Sequence, residues 1–155
     1  MKITRLFMDA SLPQDDEIEY LTARIGLTPE LVTDSQPVYD VINFATDPIT
    51  AAKSILYITR NKGAVIRECP GTSHYTCCDY TILHTGTFCT MDCSYCILQA
   101  YFHPPVLQYF VNHHDLFQEL ETHFSKKNIC RIGTGEFTDS MIWEFWTTLS
   151  DELVP

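Results

Sequence analysis

Apolar residues recur along the first half of the chain with the spacings of strands and helices. Residues 15–25 carry apolar side chains at helical spacing, and Asp47 is a capping residue followed by proline, so two helices are predicted. Short apolar runs predict strands at residues 3–8, 31–33 and 54–59. Because strands and helices alternate, the pattern predicts a small α/β region over residues 1–78.

A second region begins near residue 79 and has the pattern of parallel β/α units. Apolar, β-rich segments predict strands at residues 80–84 and 128–132. Two helices are predicted, one capped by Asn112 or Asp115 and one capped by Asp139 or Ser140 that runs through Leu149. This order indicates the opening of a parallel β/α barrel or sheet over residues 79–155. No convincing third strand follows, so we expect the barrel to be truncated and the chain to be the N-terminal part of a longer protein.

The composition is that of an ordinary globular protein with an acidic charge. The chain has 155 residues and a formal net charge of −10, whereas nucleic-acid-binding proteins usually present a basic face. The nearest basic group is Arg60, Lys62 and Arg67, which we interpret as a solvated turn. No apolar run approaches the ~20 residues of a membrane helix, and the first residues do not resemble a secretory leader. We therefore expect a cytoplasmic protein with reduced thiols and no membrane contact.

Three of the seven cysteines lie within eight residues and are the main candidates for chemistry. Cys89, Cys93 and Cys96 have the spacing C-x3-C-x2-C, with Tyr95 just before the third cysteine. Three thiolates can hold three irons of a [4Fe-4S] cluster, whereas ordinary four-iron sites use four cysteines. The remaining iron then keeps an open coordination position, where chemistry can take place.

Other interpretations of these cysteines compete with cluster binding. Zinc usually takes four ligands, and His84 or His103 could supply the fourth. A disulfide framework is disfavoured because the number of cysteines is odd. A helix that buries the three thiols on one face is disfavoured by Gly86, Thr87 and Thr90, which favour a loop. Cluster binding is therefore the preferred prediction.

Several short motifs follow one another in an order that resembles the spore photoproduct lyase family of radical SAM enzymes. They are RNKG at residues 60–63, CPGT at 69–72, CC at 77–78, CSYCILQ at 93–99 and VN at 111–112. The resemblance is good over residues 54–140. It implies a partial (β/α)6 barrel, a [4Fe-4S] cluster bound by Cys89, Cys93 and Cys96, and S-adenosylmethionine (SAM) chelated by the open iron.

The same resemblance implies roles for residues outside the cysteine motif. Tyr95 would lie near the adenine of SAM. The segment after the second barrel strand would bind the amino group of SAM, with Gly133, Thr134, Gly135, Glu136 and Thr138 as its predicted contacts. Glycines allow backbone carbonyls to approach a ligand, and a carboxylate suits an ammonium group. An ordinary turn between strand and helix is the alternative for this segment.

The chemistry implied by the resemblance is reductive cleavage of SAM. A one-electron reductant of the flavodoxin or ferredoxin type would reduce the cluster, and SAM would break into methionine and a 5'-deoxyadenosyl radical that takes hydrogen from a substrate. In the family, that substrate is a thymine-dimer lesion in DNA, and a cysteine after the second strand returns the hydrogen atom. Residues 133–139 contain no cysteine, and Glu136 or a neighbour takes its place. The donor is therefore unassigned, and DNA repair is the specific candidate rather than the expectation.

Two hypotheses of other classes remain beside the enzyme: a non-catalytic metal-binding module and an inactive fragment. The remaining chemical residues have simpler interpretations. We expect Cys77 and Cys78 to be structural, Cys130, Trp143 and Trp146 to lie in the core, and His113 and His114 to lie on the surface.

Overall fold

The computed structural model describes residues 2–71, 73–76, 79–125 and 129–154. Its strands are β1 Arg5–Asp9, β2 Glu30–Val32, β3 Ile55–Thr59, β4 Ile66–Glu68, β5 Tyr80–Leu83, β6 Gly86–Thr87, β7 Leu107–Phe110 and β8 Arg131–Gly133. Its helices are α1 Asp16–Ile25, α2 Gln36–Asn43, α3 Pro48–Ala52, α4 Leu98–Tyr101, α5 His113–Phe124 and α6 Leu149–Leu153, with a 3-10 helix at Ser140–Phe145. No helix in the described ranges has the length and apolar character needed to span a membrane.

A five-stranded sheet forms the larger layer, in the order β2-β1-β3-β7-β6. The first four strands are parallel, and β6 runs antiparallel to β7. All five residues of β3 are buried, as expected for a central parallel strand that is covered on both faces. Strands from both sides of residue 78 contribute to this sheet, and their side chains pack with those of the helices and loops in the main core.

A smaller sheet has the order β4-β5-β8 and contains both strands predicted for the second region, β5 and β8. β5 and β8 are parallel, with Tyr80 opposite Arg131 and Ile82 opposite Gly133, while β4 pairs antiparallel to β5. The prediction of an α/β fold with a parallel sheet is confirmed. The predicted strands at residues 3–8, 31–33, 54–59, 80–84 and 128–132 correspond to β1, β2, β3, β5 and β8.

The helices predicted at residues 15–25 and after Asp47 begin at these positions, and both starts are capped. The carboxylate of Asp15 accepts the backbone N–H of Ile18 at the start of α1, and Asp47 accepts that of Thr50 at the start of α3. α1 ends at Gly26, which has φ +73°, a left-handed conformation that favours glycine. Asn112 directly precedes α5, but its side chain forms no capping hydrogen bond and instead donates to the Asp115 carboxylate at 3.1 Å.

One predicted helix is wrong in its extent. Instead of a single α-helix from Asp139 or Ser140 through Leu149, the chain forms the 3-10 helix and then α6. The reason is local hydrogen bonding: the Thr147 hydroxyl donates to the Trp143 carbonyl at 3.1 Å, and the backbone N–H of Ser150 donates to the Glu144 carboxylate at 2.9 Å. Such side-chain bonds compete with a continuous α-helical ladder.

The prediction that His113 lies on the surface is also wrong. Its side chain is 8% exposed, its Nδ1 lies 3.2 Å from a carboxylate oxygen of Glu17, and the Tyr109 ring packs edge-on against it. Burial lowers the pKa of His113 to about 4, whereas burial and the nearby carboxylates of Glu152 and Asp15 raise the pKa of Glu17 to about 7. The pair therefore joins α1 to α5 as neutral groups near pH 6.

The other interpretations of single residues have mixed outcomes. Trp143 and Trp146 are buried in the main core, as predicted. Cys130 is half-buried rather than part of the core. Cys77 and Cys78 lie outside the described residues, so their predicted structural role stays a prediction.

Gly86→Ala should destabilise the protein by about 1–3 kcal/mol, because the core there is already filled. A Cβ at Gly86 would lie 2.4 Å from the Gln108 carbonyl oxygen and 2.6 Å from the Trp143 ring. Gly63→Ala is the matched control, since its Cβ would meet only Asn61, at 3.5 Å. Urea unfolding measures both variants, and equal effects of the two substitutions would contradict this view of the core.

The pair Glu17 and His113 should give the protein two opposing pH dependences. The ordinary pKa of a glutamate is 4.5 and that of a histidine is 6.5. Between pH 4.5 and about 7 the folded state retains the Glu17 proton that the unfolded state has lost, so this contribution to stability falls as pH rises. Between pH 4 and 6.5 only the unfolded state protonates His113, so the second contribution rises.

Relative to the parent protein, Glu17→Gln should therefore have a free energy of unfolding that increases as the pH rises from 4.5 to 7. Relative to the parent protein, His113→Gln should have a free energy of unfolding that decreases as the pH rises from 4 to 6.5. The free energy of unfolding in urea, measured across this range, separates the two slopes, and Glu19→Gln on the exposed face of α1 is the control. If both variants kept the parental pH profile, the two groups would not be coupled to folding.

Candidate metal and cofactor site

The three motif cysteines line one cavity of about 280 Å³. The wall of this cavity combines the cysteine loop with the segment after β8 and includes Cys89, Cys93, Cys96, Tyr95, Gly135 and Thr138. The thiols and two of the predicted cofactor contacts are therefore neighbours in space, although about 40 residues separate them in sequence. The loop supplies sulfur ligands and the second segment supplies polar backbone and a hydroxyl group.

The fold fixes one end of the cysteine loop and leaves the other end open. Cys89 is buried and follows Phe88, which is fully buried and has φ +65°, a conformation that non-glycine residues adopt only at some cost. Cys93 and Cys96 are half-buried, and the backbone N–H of Cys96 donates to the Cys93 carbonyl at 3.0 Å in a tight turn. The second and third thiols are therefore accessible from the cavity while the first is held by the core.

The donor set fits a cluster that is bound through separate irons. Cys69, Cys89, Cys93, Cys96 and Cys130, the cysteines within the described ranges, are free thiols. The backbone N–H of Met91 lies 3.4 Å from the Cys89 sulfur and donates a hydrogen bond to it. In the described part of the chain, no three His, Cys, Asp or Glu side chains converge on a point where one metal ion could bind. Cluster ligation needs a different arrangement, because each thiolate binds its own iron.

Tyr95 lies at the mouth of the cavity. Its side chain is 90% exposed. Interaction with the neighbouring Cys93 side chain raises the pKa of the Tyr95 hydroxyl. Because the ring is exposed, it remains available to a bound molecule.

Four of the five SAM contacts predicted in residues 133–138 divide between two adjoining cavities. Gly135 and Thr138 line the cysteine cavity, whereas Gly133 and Thr134 line a neighbouring cavity of about 340 Å³ between β8, α5 and α6. Ser140 borders both cavities, and its hydroxyl accepts a hydrogen bond of 2.5 Å from Thr134. Gly133 also has a packing role, because a Cβ there would come within 1.8 Å of the Tyr80 hydroxyl.

Glu136 is engaged by an arginine and does not line the cysteine cavity. Its carboxylate forms an ion pair and hydrogen bond with Arg67 of β4. The Arg67 guanidinium also lies over the Phe137 ring, 4.3 Å from the ring centre. A contact between Glu136 and an ammonium group of a ligand would therefore require exchange of partners.

The histidines considered as zinc ligands lie away from the cysteine cavity wall. The His84 ring packs against Phe110 and Phe137 at 5.3 and 5.1 Å, and burial together with the charge of Arg67 lowers its pKa. Nε2 of His103 lies 2.9 Å from the carbonyl oxygen of Ala100. Neither ring borders the cavity that holds the thiols.

Sequence patterns did not identify two charged residues that support this site. Arg67 was interpreted as part of a solvated turn, yet it binds Glu136. Lys53 directly follows α3 and contacts Met91 and Asp92 within the cysteine loop. Partners this far apart in sequence leave no periodic signal, since only the tertiary fold brings them together.

Comparison with known proteins gives a fold but no sequence family. No protein-family model and no curated protein matches the chain. Solved structures of spore photoproduct lyase share its fold. A mutant with bound AdoMet and dinucleoside spore photoproduct has 17% identity and a TM-score of 0.69, covering 97% of this chain and 45% of that one. A cysteine-to-serine mutant has 18% identity and a TM-score of 0.71 at the same coverage.

A cysteine-to-alanine mutant of the same lyase has 16% identity and a TM-score of 0.72, with 99% of this chain and 46% of that chain covered. The chain thus spans less than half the length of the lyase structures that it matches. The similarity predicted from the motifs is confirmed at the level of fold: the chain has the architecture of an N-terminal part of spore photoproduct lyase.

Proposed function

We propose that this chain is a radical SAM protein that binds a [4Fe-4S] cluster through Cys89, Cys93 and Cys96. The observation that carries the proposal is the shared cavity: three thiols with the spacing C-x3-C-x2-C lie beside Gly135 and Thr138. The similarity of fold to a lyase with bound AdoMet adds support. When bound, the cluster would supply the electron that cleaves SAM reductively and yields a radical able to take hydrogen from a substrate.

The residues of the chain would then bind and orient the cluster and SAM. Cys89 would be the fixed ligand, because it is buried and its sulfur accepts the Met91 N–H. Cys93 and Cys96 would be the ligands nearer the cavity mouth. The Tyr95 ring would cover the adenine of SAM, and Gly135 and Thr138 would contact its amino acid part.

Glu136 would bind the SAM amino group only after it leaves Arg67. Both are carboxylate–cation interactions, so one would replace the other. Gly133 and Thr134 would act from the adjoining cavity, where the hydrogen bond from Thr134 holds Ser140 at the border of the two. In this arrangement the segment after β8 supports the ligand from one side and the cysteine loop supports it from the other.

A thymine-dimer lesion in DNA is the specific substrate candidate. Three of the lyase structures that share the fold contain a dinucleoside spore photoproduct. The net charge of −10 disfavours a large contact with the phosphate backbone. No cysteine occurs in residues 133–139, so the proposal includes SAM cleavage without assigning the group that returns hydrogen. The reductant would be a flavodoxin-like or ferredoxin-like protein of the cytoplasm.

A metal-binding module or inactive fragment is the second candidate. It is compatible with the cysteine cavity, because the three thiols can serve as metal ligands without cleavage of SAM. In that case the thiols would bind a metal that stabilises the fold, and SAM would not be cleaved. Removal of the metal by a chelator would then unfold the protein.

SAM cleavage tests the proposal directly. Anaerobic reconstitution with iron and sulfide, followed by dithionite and SAM, should yield 5'-deoxyadenosine on chromatography. Cys93→Ala should reduce this product to background because one cluster ligand is lost. Cys130→Ala is the matched control and should retain the product, since Cys130 lies outside the cysteine cavity.

The alternative outcomes separate the two candidates. A bound cluster that yields no 5'-deoxyadenosine would favour the metal module or inactive fragment. Failure of the parent protein to bind iron would contradict the cluster assignment of the three cysteines. Equal product from the parent protein and Cys93→Ala would show that the cleavage does not depend on this site.

A further inference from the structure

Lys53 is a nearly buried lysine that contacts the cysteine loop across the fold. It is 9% exposed and directly follows α3. Its ammonium group donates a 3.0 Å hydrogen bond to the carbonyl oxygen of Met91 and pairs with the carboxylate of Asp92. Both acceptors lie between Cys89 and Cys93, so this single side chain holds the part of the loop that joins the first two thiols.

The position of Lys53 is fixed by its surroundings. Ala52 beside it is fully buried, and α3 is capped at its other end by Asp47. A buried ammonium requires partners, because its removal from water without them is strongly unfavourable. The Asp92 side chain is 86% exposed, so the interaction draws a surface loop residue onto a rigid buried charge. Loss of Lys53 should therefore release the loop.

The charge of Lys53 also matters for the neighbouring thiols. Among the described residues that line the cysteine cavity, Asp139 is the charged side chain and no cation is present. Three thiolates would add further negative charge. Lys53 is a cation that contacts the loop at Met91 and Asp92, the residues between Cys89 and Cys93.

We propose that Lys53 is a positioning residue that orders the cysteine loop and raises the reduction potential of the bound cluster. The second part rests on the proposed function. Net charge and hydrogen bonding around a cluster set its potential, so removal of a nearby cation makes reduction harder. Removal of the Asp92 charge should have the opposite effect, because the hydrogen bond from Lys53 to Met91 can persist.

The ordering of the cysteine loop by Lys53 is tested in the metal-free protein by hydrogen–deuterium exchange. Lys53→Met should speed exchange of residues 88–97 severalfold and leave the buried strand β3 unchanged. Lys53→Arg should restore most of the protection, since it keeps a cation and donors. Lys62→Met removes an exposed lysine outside the loop contacts and is the control. Unchanged exchange of residues 88–97 in Lys53→Met would overturn the positioning role, whether or not a cluster binds.

The charge effect is tested by redox titration of the reconstituted proteins. The midpoint potential should shift down in Lys53→Met, remain near the parent value in Lys53→Arg and Lys62→Met, and shift up in Asp92→Asn. A purely structural role would lower cluster occupancy without giving shifts of opposite sign. Equal potentials in the parent, Lys53→Met and Asp92→Asn would overturn the electrostatic role. If the parent protein binds no cluster, the proposed function and this electrostatic role fail together. The exchange experiment still decides whether Lys53 orders the cysteine loop.

Discussion

Pairing between β3 and β7 is the constraint on which the candidate site depends. Four residue pairs align these parallel strands, from Leu56 opposite Leu107 to Thr59 opposite Phe110. β7 in turn holds β6 antiparallel, and Cys89 follows β6 by two residues. The buried Cys89 is therefore positioned by backbone hydrogen bonds that run from β3 through β7 to β6 within the five-stranded sheet. Loss of this pairing would separate the cysteine loop from its support.

Two independent parts of the fold meet around the thiols. The five-stranded sheet supplies the loop with Cys89, Cys93 and Cys96, and β8 of the smaller sheet leads into Gly135 and Thr138. Gly86 connects the two parts, because its lack of a side chain lets Trp143 of the 3-10 helix pack directly on β6. The geometry of the cavity therefore depends on core packing as well as on the cysteine motif.

Local patterns were sufficient for part of this structure. Apolar spacing and capping residues predicted β1, β3, α1 and α3, because those signals lie within a few neighbouring residues. β7 was missed because two prolines at residues 104–105 lie just before it and indicate a loop. His113 was assigned to the surface because the sequence does not show that α1 and α6 bring Glu17 and Glu152 against it. The partners of Glu136 and Asp92 were missed for the same reason.

Charge pairing around the site bears on the choice between an enzyme and a metal module. Lys53 is held by the loop backbone as well as by Asp92, so it serves either function by ordering the ligands. Arg67 and Glu136 are different, because both side chains are at least a quarter exposed and Phe137 supports the guanidinium independently. If Glu136 exchanged Arg67 for another cation, its carboxylate would become available beside the segment that contains Gly135 and Thr138. A structural metal site has no use for such a group, whereas a site for a ligand with an ammonium group does.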